Sequence, residues 1–320
     1  RQRQMCIRDR RKLTPHNIKL NFQAVHYYLN AGKRIRKIFD GFSPDLVIGT
    51  GGYVTGTVLK TALKCGIKTA LHESNSLPGV STKMLAPKAD LVMLGTEDAK
   101  KHLGECKKCV VTGNPLRNNI PIEEKSAARK RLGLPDCLTI LSAGGSQGAS
   151  RINDAVVHLL SYEQKKGNIN HIHGYGKHGK DTFMQSLAEN GVDPDNEHFI
   201  IKEYIDNMYT CMCASDLIIT RAGAMTLTEL MAIGRASILI PYPYAAENHQ
   251  YYNALTLQNA NAGRIIDDKE LTGAVLIDTV TKLTDDPELL KLMSENAAKL
   301  SKHDAAGVIL REITDLMGLE

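Results

Sequence analysis

Short apolar runs recur along the chain, separated by longer stretches in which apolar residues return every three or four positions. The short runs predict buried strands, and the longer stretches predict helices that bury one face. Strands that alternate with helices form parallel sheets covered by helices, so the expected fold class is α/β. The predicted strands are Asp45–Gly49, Lys68–Leu71, Ala89–Leu94, Cys109–Thr112, Leu138–Leu141, Asn170–His173, His198–Lys202, Leu217–Thr220, Ser237–Ile240 and Gly263–Ile266.

A charged, proline-containing run interrupts this pattern between Pro121 and Lys130 and is typical of an interdomain linker. The chain has 320 residues, which is enough for two domains. We therefore expect a first domain over residues 1–120 and a second over residues 121–303. The last predicted helix, about residues 304–320, is expected to pack back on the first domain. It places on one face Val308, Ile309, Ile313, Leu316 and Met317.

Glycine-rich turns follow two of the predicted strands. Gly49–Gly56 precedes a predicted helix over Thr57–Lys64, and Gly144–Gly148 precedes one from about Ala149 to Leu160. Such turns let the backbone approach a ligand, and the helix N–H groups behind them bind phosphates. The second turn lacks the GxGxxG spacing and the acidic residue of a dinucleotide site, which argues against a nicotinamide cofactor. His72–Asn75 follow another predicted strand and either rim a pocket or make structural hydrogen bonds.

A third turn, Arg221–Ala224, precedes a helix that we expect to begin at Thr226. Thr226 and Glu229 have the Thr-x-x-Glu spacing of a capping box, in which each side chain satisfies a helix N–H group. Alternatively, Glu229 accepts hydrogen bonds from the ribose of a nucleotide held at the helix start. The next predicted strand leads to a polar cluster, Glu247–Gln250, and open α/β sheets bind ligands beyond such strand ends. The stretch Thr220–Asn253 therefore predicts a nucleotide or sugar site.

Basic residues are concentrated near the beginning of the sequence. The net charge is only +5, with 42% hydrophobic and 23% charged residues, which is ordinary for a globular protein and does not indicate nucleic-acid binding. Apolar spacing predicts a helix over Ile18–Phe39. This helix either exposes a solvated basic face or touches an anionic membrane surface. The basic residues of its second half are Lys33, Arg34, Arg36 and Lys37.

The cysteines and the hydropathy pattern indicate neither a metal site nor a membrane span. No run of eighteen or more apolar residues occurs, and the first residues lack the apolar segment of a signal peptide. Cys106 and Cys109 form a CxxC pair and Cys211 and Cys213 a CxC pair among seven cysteines. Neither pair has the context of a zinc or redox motif, so we expect free thiols.

Six motifs follow one another in a fixed order: Gly51–Gly56, His72–Asn75 with Pro78-Gly79, Gly113–Arg117, Gly144–Gly148, Arg221–Glu229, and Glu247–Gln250 with Asn253. From about Ile18 onwards they resemble the bacterial N-acetylglucosaminyltransferases that convert lipid I into lipid II in peptidoglycan synthesis. The resemblance implies a GT-B glycosyltransferase, with two Rossmann-like doubly wound domains facing one another across a cleft. It also implies inverting transfer of N-acetylglucosamine from UDP to the 4-hydroxyl of the undecaprenyl-linked N-acetylmuramyl sugar, with no metal and no cofactor.

The resemblance also implies roles for residues in these motifs. On the donor side, the diphosphate would contact Gly145, Ser146, Gln147 and Gly148. A second helix start facing the phosphates would comprise Arg221, Gly223, Ala224, Met225 and Thr226. Uracil would contact Ile205, the ribose Glu229, and the donor sugar His249 and Gln250. The acceptor side of the cleft would include Gly52, Tyr53, Asn75 and Arg117.

The chain departs from the family pattern in three places. Ser74 stands where Gln is usual, and Thr57 stands where Pro often follows the glycine loop. The family's chain also opens with a strand and a glycine-rich loop that ends in a His, the favoured general base, and nothing before Ile18 matches it. We therefore expect an incomplete N-terminal domain, an unknown catalytic base and impaired turnover, because base catalysis contributes roughly 10²–10⁴-fold.

The partners implied by the resemblance are UDP-N-acetylglucosamine, lipid I and an anionic membrane surface. The family's membrane-facing region matches Ile18–Phe39, so the resemblance implies a peripheral protein on the cytoplasmic face of the bacterial cell membrane. Three other functions fit parts of the sequence. A UDP-N-acetylglucosamine 2-epimerase would need acid and base carboxylates in the cleft, a non-catalytic module would bind the nucleotide sugar without turnover, and an oxidoreductase would bind NADH.

Overall fold

The computed structural model describes residues 30–117, 122–180 and 182–319, and only the backbone of Tyr53. The chain forms two compact units. One comprises the chain before Leu116 together with the stretch from Asp304 onwards, and the other is Leu116–His303. The first part of the helix predicted over Ile18–Phe39 lies outside the described residues, as does Pro121, the first residue of the predicted linker.

The first unit contains four described strands in one parallel sheet of order β1-β2-β3-β4. Its helices lie before, between and after these strands. In chain order the elements are α1 (residues 30–42), β1 (Leu46–Gly49), α2 (Gly52–Lys64), β2 (Lys68–Glu73), α3 (Val80–Leu85), β3 (Leu91–Leu94), β4 (Cys109–Val111) and α12 (Ala305–Met317).

Both faces of this first sheet are covered, as parallel strands require. On one face, α2 and α3 contribute Leu59 and Leu85 to a cluster with alternate residues of the strands. On the other face, α12 packs Ile309 and Ile313 against strand residues such as Met93. Helix α12, from the end of the chain, therefore completes the core of the first unit.

The second unit contains a six-stranded parallel sheet of order β10-β9-β8-β5-β6-β7 among the described residues. Its elements are α4 (Lys125–Leu132), β5 (Leu138–Ala143), α5 (Ser150–Lys166), β6 (Ile169–Gly174), α6 (Phe183–Glu189), β7 (Phe199–Lys202), α7 (Met208–Ala214), β8 (Leu217–Thr220), α8 (Ala224–Ile233), β9 (Ala236–Leu239), α9 (His249–Asn259), β10 (Gly263–Ile265), α10 (Gly273–Thr284) and α11 (Pro287–Lys299).

The strand order reverses beside β5. The chain moves outward through β6 and β7, then returns to the other side of β5 with β8. Alternate strand residues such as Ile140 and Leu141 enter two separate apolar clusters, one on each face of the sheet. The gap between the loops that leave β5 and β8 is therefore a topological switch point, where doubly wound sheets bind ligands.

Some boundaries predicted from the sequence were wrong. Helix α2 begins at Gly52 rather than at Thr57, so the end of the first glycine-rich turn is already helical. The predicted linker contains most of α4, which packs as part of the second unit and buries Arg129. The Arg129 guanidinium contacts the half-buried Asp216 at Oδ2, 2.6 Å away, and Ala128 of the same helix enters the apolar core, so this charged segment is attached to the second unit.

Candidate functional site

Two helices begin after neighbouring strands at the switch point of the second sheet. The last residues of β5 and β8, Ala143 and Thr220, are paired in register, and α5 and α8 follow these strands. Neither helix has a side-chain cap at its N-terminus. The N–H groups of a first helical turn have no acceptor within the helix, and together with the helix dipole they attract anions. This edge of the sheet can therefore hold a ligand with two negative charges.

The turn between β5 and α5 is shaped by glycines and held by a second loop. Gly145 and Gly148 have positive φ angles of 91° and 82°, a conformation that other residues adopt at a cost. The backbone N–H groups of Lys177 and His178 donate to carbonyls of the turn, at Ser146 (3.3 Å) and Gln147 (3.0 Å). The side chains of Ser146 and Gln147 are exposed. The turn thus presents backbone and polar atoms to solvent on a fixed scaffold.

Helix α8 begins earlier than its sequence suggested. Gly223 is the residue before the helix, and Ala224 is the first helical residue. Thr226 therefore lies inside the first turn and cannot be the cap, so the capping box predicted with Glu229 was wrong. A Thr-x-x-Glu spacing also occurs within helices, and only a non-helical backbone at Thr makes it a cap. The predicted donor residues Ala224, Met225 and Thr226 occupy this first turn, with Met225 exposed.

Glu229 instead contacts a residue that the sequence did not indicate. Its Oε1 accepts a hydrogen bond of 2.8 Å from the Tyr209 hydroxyl, on the first turn of α7. Partial burial raises the pKa of the Tyr209 phenol, and the bond to Glu229 raises it further. No local pattern connects the two residues, which are brought together by the packing of α7 against α8.

Ile205 lies in the loop between β7 and α7, close in sequence to Tyr209. Its side chain is 5% exposed and belongs to the apolar core, where it faces Gly174. Any contact between Ile205 and a ligand must therefore be made by its backbone N–H or C=O. These groups suit the alternating donors and acceptors of a pyrimidine edge.

Arg221 is largely occupied by the protein itself. Its Nη1 donates to the Ile240 carbonyl at 3.1 Å, the Pro241 carbonyl at 3.3 Å and Asp268 Oδ1 at 2.6 Å. Arg221 thus connects the loops after β8, β9 and β10, and the half-buried Asp268 carboxylate also contacts Arg151 Nε of α5 at 3.3 Å. Arg221 therefore lies beside the switch point mainly as a structural residue that holds neighbouring loops together. No sequence pattern had indicated Asp268.

His249 and Gln250 begin α9 after an unusual turn. Glu247 and Asn248 both have positive φ, at 49° and 57°, and consecutive strained residues of this kind cluster at functional sites. Gln250 Oε1 accepts from the Tyr242 N–H at 2.9 Å. His249 Nδ1 lies 2.8 Å from the Ala246 carbonyl and must donate to it, so Nε2 of the neutral ring is an acceptor for a hydroxyl group.

The residues predicted for the acceptor side belong to both units. In the first unit, Gly52 begins α2 with a φ of 79°, and Asn75 is held by Glu73 Oε1 through its N–H at 3.1 Å and its amide at 3.0 Å. Arg117 belongs to the second unit. The Tyr53 side chain lies outside the described residues.

A buried polar chain lies behind the turn that follows β5, and no motif in the sequence had indicated it. Ser142 Oγ contacts His171 Nε2 at 2.7 Å and His173 Nδ1 at 2.6 Å, and His171 Nδ1 contacts Glu163 Oε2 at 2.6 Å. Burial lowers the pKa of His173 well below its ordinary value, and the neighbouring His171 lowers it further. Burial raises the pKa of Glu163 against the attraction of His171. The alternation of His171 and His173 in β6 is the sequence pattern that could have indicated this cluster.

In the described part of the chain, no group of three or more His, Cys, Asp or Glu side chains is arranged to hold a metal ion. None of the six cysteines of those ranges forms a disulfide. Across the same residues, every helix is too short or too polar to cross a lipid bilayer.

Comparison with known proteins connects both units to one family. The glycosyltransferase family 28 N-terminal domain matches residues 7–94, and the C-terminal domain of the same family matches residues 139–309. Family similarity thus begins before Ile18, contrary to the expectation from the motifs. Among solved structures, MurG of Acinetobacter baumannii has a TM-score of 0.77 with 26% identity over 91% of this chain and 79% of that one. The MnaA–UDP complex of S. aureus, at 14% identity and a TM-score of 0.68, shares the fold alone.

Curated relatives make the assignment more specific. The UDP-N-acetylglucosamine–N-acetylmuramyl-(pentapeptide) pyrophosphoryl-undecaprenol N-acetylglucosamine transferase of Desulforamulus reducens is 38% identical over 309 residues, covering 96% of this chain and 82% of that protein. The protein of the same name from a Thermoanaerobacter species is 39% identical, with 96% and 83% covered. The GT-B fold expected from the motifs is confirmed, and the chain belongs to this family of lipid II-forming N-acetylglucosaminyltransferases.

Proposed function

We propose that the chain transfers N-acetylglucosamine from UDP to the 4-hydroxyl of N-acetylmuramic acid on undecaprenyl diphosphate, with inversion to a β-1,4 linkage. The observation that carries the proposal is the pair of uncapped helix starts at the ends of β5 and β8. A nucleoside diphosphate leaving group develops negative charge as its bond to the sugar breaks. Preorganised N–H groups and helix dipoles stabilise that charge without having to reorient.

The donor diphosphate is proposed to lie between the turn after β5 and the start of α8. Gly145–Gly148 supply backbone N–H groups, with the Ser146 hydroxyl as an additional donor. Gly223 and Ala224 bring the backbone of α8 close because neither has a bulky side chain. Arg221 contributes positive charge nearby, although Asp268 at 2.6 Å offsets much of it.

The remainder of the donor is proposed to extend to either side of the diphosphate. The ribose hydroxyls donate to Glu229, whose carboxylate is half-buried and already accepts a hydrogen bond from Tyr209. The uracil edge pairs with the backbone at Ile205. The N-acetylglucosamine hydroxyls contact His249 Nε2 and the side-chain amide nitrogen of Gln250. The other polar atom of each side chain, His249 Nδ1 and Gln250 Oε1, is hydrogen-bonded to the backbone nearby.

For the acceptor, we propose contacts from Gly52, Tyr53, Asn75 and Arg117. Asn75 is suited to a positioning contact because the buried Glu73 carboxylate fixes the backbone and amide of the residue. Arg117 supplies a positive charge for the diphosphate that links the acceptor sugar to its lipid. Arginine is well adapted to such groups because its guanidinium forms paired hydrogen bonds.

Helix α1 is proposed to contact the cytoplasmic face of the cell membrane. Lys33, Arg34, Arg36 and Lys37 are exposed on it, next to the apolar side chain of Ile38, which is 63% exposed. Basic and apolar residues on one helix favour an anionic lipid surface. Replacing Lys33 and Lys37 by Ala should weaken binding to anionic vesicles by about 1 kcal/mol, or roughly fivefold, for each charge. The control Lys291→Ala, in the second unit, should leave vesicle binding unchanged.

A transfer assay tests the proposed reaction directly. The chain is incubated with UDP-N-acetylglucosamine and a lipid I analogue bearing a short isoprenoid, and the products are separated and examined by NMR. A lipid-linked disaccharide with a β-1,4 linkage, formed together with UDP, supports the proposal. Release of N-acetylmannosamine and UDP without acceptor would indicate an epimerase. Binding of the nucleotide sugar with no product in either assay would reduce the function to binding alone.

A further inference from the structure

We infer that Tyr209 is a positioning residue for the donor nucleoside: its hydroxyl holds the Glu229 carboxylate in the orientation that receives the ribose. This inference rests on the proposed function, because it takes Glu229 as the ribose-binding group. It adds a residue from outside the six motifs to the donor site. It also connects α7, which follows the proposed base-binding loop, to α8, which follows the proposed diphosphate-binding turn.

The contact joins two half-buried side chains across two helices. Tyr209 lies in the first turn of α7 and Glu229 in the second turn of α8. The hydroxyl oxygen is 2.8 Å from Oε1, a good distance for a hydrogen bond to a carboxylate. Ile205 lies in the loop that leads into α7, so the proposed base contact and the Tyr209 hydroxyl lie on one continuous segment.

The Glu229 carboxylate has enough acceptor positions to bind a ribose as well as Tyr209. An ionised carboxylate has two oxygens and about four acceptor positions, of which Tyr209 occupies one. The remaining positions suffice for the two adjacent hydroxyls of a ribose. Without the tyrosine, the terminal torsion of Glu229 is a broad, weakly restrained rotor. Fixing it before the ligand arrives removes part of the ordering cost of binding.

The surroundings keep Tyr209 in its donor form. Partial burial raises the pKa of the phenol, the bond to Glu229 raises it further, and the positive charge of Arg117 acts in the opposite direction. The phenol is therefore protonated at neutral pH and donates its hydrogen to the carboxylate. Arg117, one of the proposed acceptor-side residues, is close enough to Tyr209 for its charge to act on the same group.

The test compares the effect of one hydroxyl on two nucleotides. Calorimetric titrations of the full chain and of Tyr209→Phe use UDP and 2′,3′-dideoxyuridine diphosphate, which lacks both ribose hydroxyls. We expect Tyr209→Phe to weaken UDP binding about fivefold, because the ribose hydrogen bonds remain and only the cost of ordering one flexible side chain is added. Binding of the dideoxy nucleotide should not change. In steady-state transfer, KM for the donor should rise while kcat stays nearly constant, as expected for loss of uniform binding.

A matched substitution controls for loss of a phenol elsewhere. Tyr162→Phe removes the hydroxyl of a half-buried tyrosine near the end of α5, and it should leave both affinities unchanged. Equal weakening of both nucleotides by Tyr209→Phe would show a general packing role and overturn the inference. Unchanged or tighter UDP binding would also overturn it, because the phenol would then be irrelevant to the ribose or in competition with it.

The same titrations separate this inference from the proposed function. If the unsubstituted chain binds the two nucleotides equally, or if Glu229→Ala retains full affinity for UDP, the ribose role of Glu229 is wrong. A second outcome would remove only the positioning role. In it, the unsubstituted chain binds UDP more tightly than the dideoxy nucleotide, Glu229→Ala loses this preference, and Tyr209→Phe keeps it unchanged. Thermal unfolding of each variant confirms that it is folded.

Discussion

The turn after β1 and the turn after β5 contain the same kinds of residue but have different neighbours. Gly51 and Gly52 both have positive φ, and a Cβ on either would meet nothing within 4 Å. The turn after β5 packs against the loop after β6, where a Cβ on Gly176 would collide with the backbone nitrogen of Gly148. Glycine supplies conformational freedom in the first turn, and in the second it also permits two backbones to touch.

The carboxylates near these regions differ in a parallel way. Glu73, in the first unit, is 4% exposed, and its two oxygens accept from Asn75, Gly79 and Thr82. Glu229, in the second unit, is half-buried and accepts from Tyr209. A carboxylate whose acceptor positions are filled by its own loop supports the fold. One with positions to spare, beside an anion-binding helix start, is suited to a ligand.

The two glycine turns should respond very differently to an added methyl group. Gly176→Ala should lower the free energy of unfolding of the second unit by about 3 kcal/mol or more, because overpacking adds to the cost of a left-handed alanine. Gly52→Ala should lower that of the first unit by about 1–2 kcal/mol, from the conformational term alone. Urea unfolding followed by circular dichroism measures both. Similar losses would contradict the distinction between packed and open turns.

Glu73→Gln should destabilise the first unit by about 2–3 kcal/mol, because an amide in place of one oxygen leaves buried donors without an acceptor. Urea unfolding measures this loss. UDP affinity should remain unchanged, since Glu73 is engaged entirely with its own loop. A fall in UDP affinity without loss of stability would place Glu73 among the donor-binding residues.

Glu229→Ala should have the opposite profile. UDP binding should weaken about tenfold to a hundredfold, the range expected for lost hydrogen bonds to a charged group. The free energy of unfolding should change by less than about 0.5 kcal/mol, as is usual for partly exposed positions outside the core. Titration calorimetry and urea unfolding of the same preparation provide the two values. Greater loss of stability than of affinity would make Glu229 a structural residue.

Acid should act on the second unit through its buried polar chain. The pKa of His173 is lowered by burial in the folded state, so the unfolded state binds more protons below the ordinary histidine pKa of about 6.5. The contribution of His173 is therefore complete above that pH and declines as the pH falls below it, by at most about 1.4 kcal/mol per pH unit. Glu163, whose pKa is raised, opposes this decline because its protonation favours the folded state over part of that range.

Comparison of variants isolates the histidine from the carboxyl group. Thermal unfolding between pH 5 and pH 8 should show a flatter profile for His173→Gln than for the unsubstituted chain. His303→Gln removes an exposed histidine of the same unit and should preserve the profile. An unchanged profile in His173→Gln would remove His173 as the source of acid sensitivity.

Much of the architecture was predictable because short stretches of sequence determine the strands and the turns. Apolar runs located all ten strands of the described residues to within a few positions, since a parallel strand covered on both faces must be apolar along its length. The ordered motifs identified the family, and the glycine turns marked the helix starts. Boundaries were less accurate: a threonine followed by a glutamate predicted a cap at Thr226, whereas the backbone at Gly223 determined where α8 begins.

Tertiary structure decided which of these local features meet. The contact between Tyr209 and Glu229 spans two helices, and that between Gly148 and Gly176 joins two loops. Both depend on the strand order that sets β5 between β6 and β8. Hydrophobic periodicity indicates that a strand is buried but not which strand lies beside it. The sequence by itself therefore determined the elements, the motifs and the family, whereas only the folded chain determined that the Tyr209 hydroxyl contacts the Glu229 carboxylate.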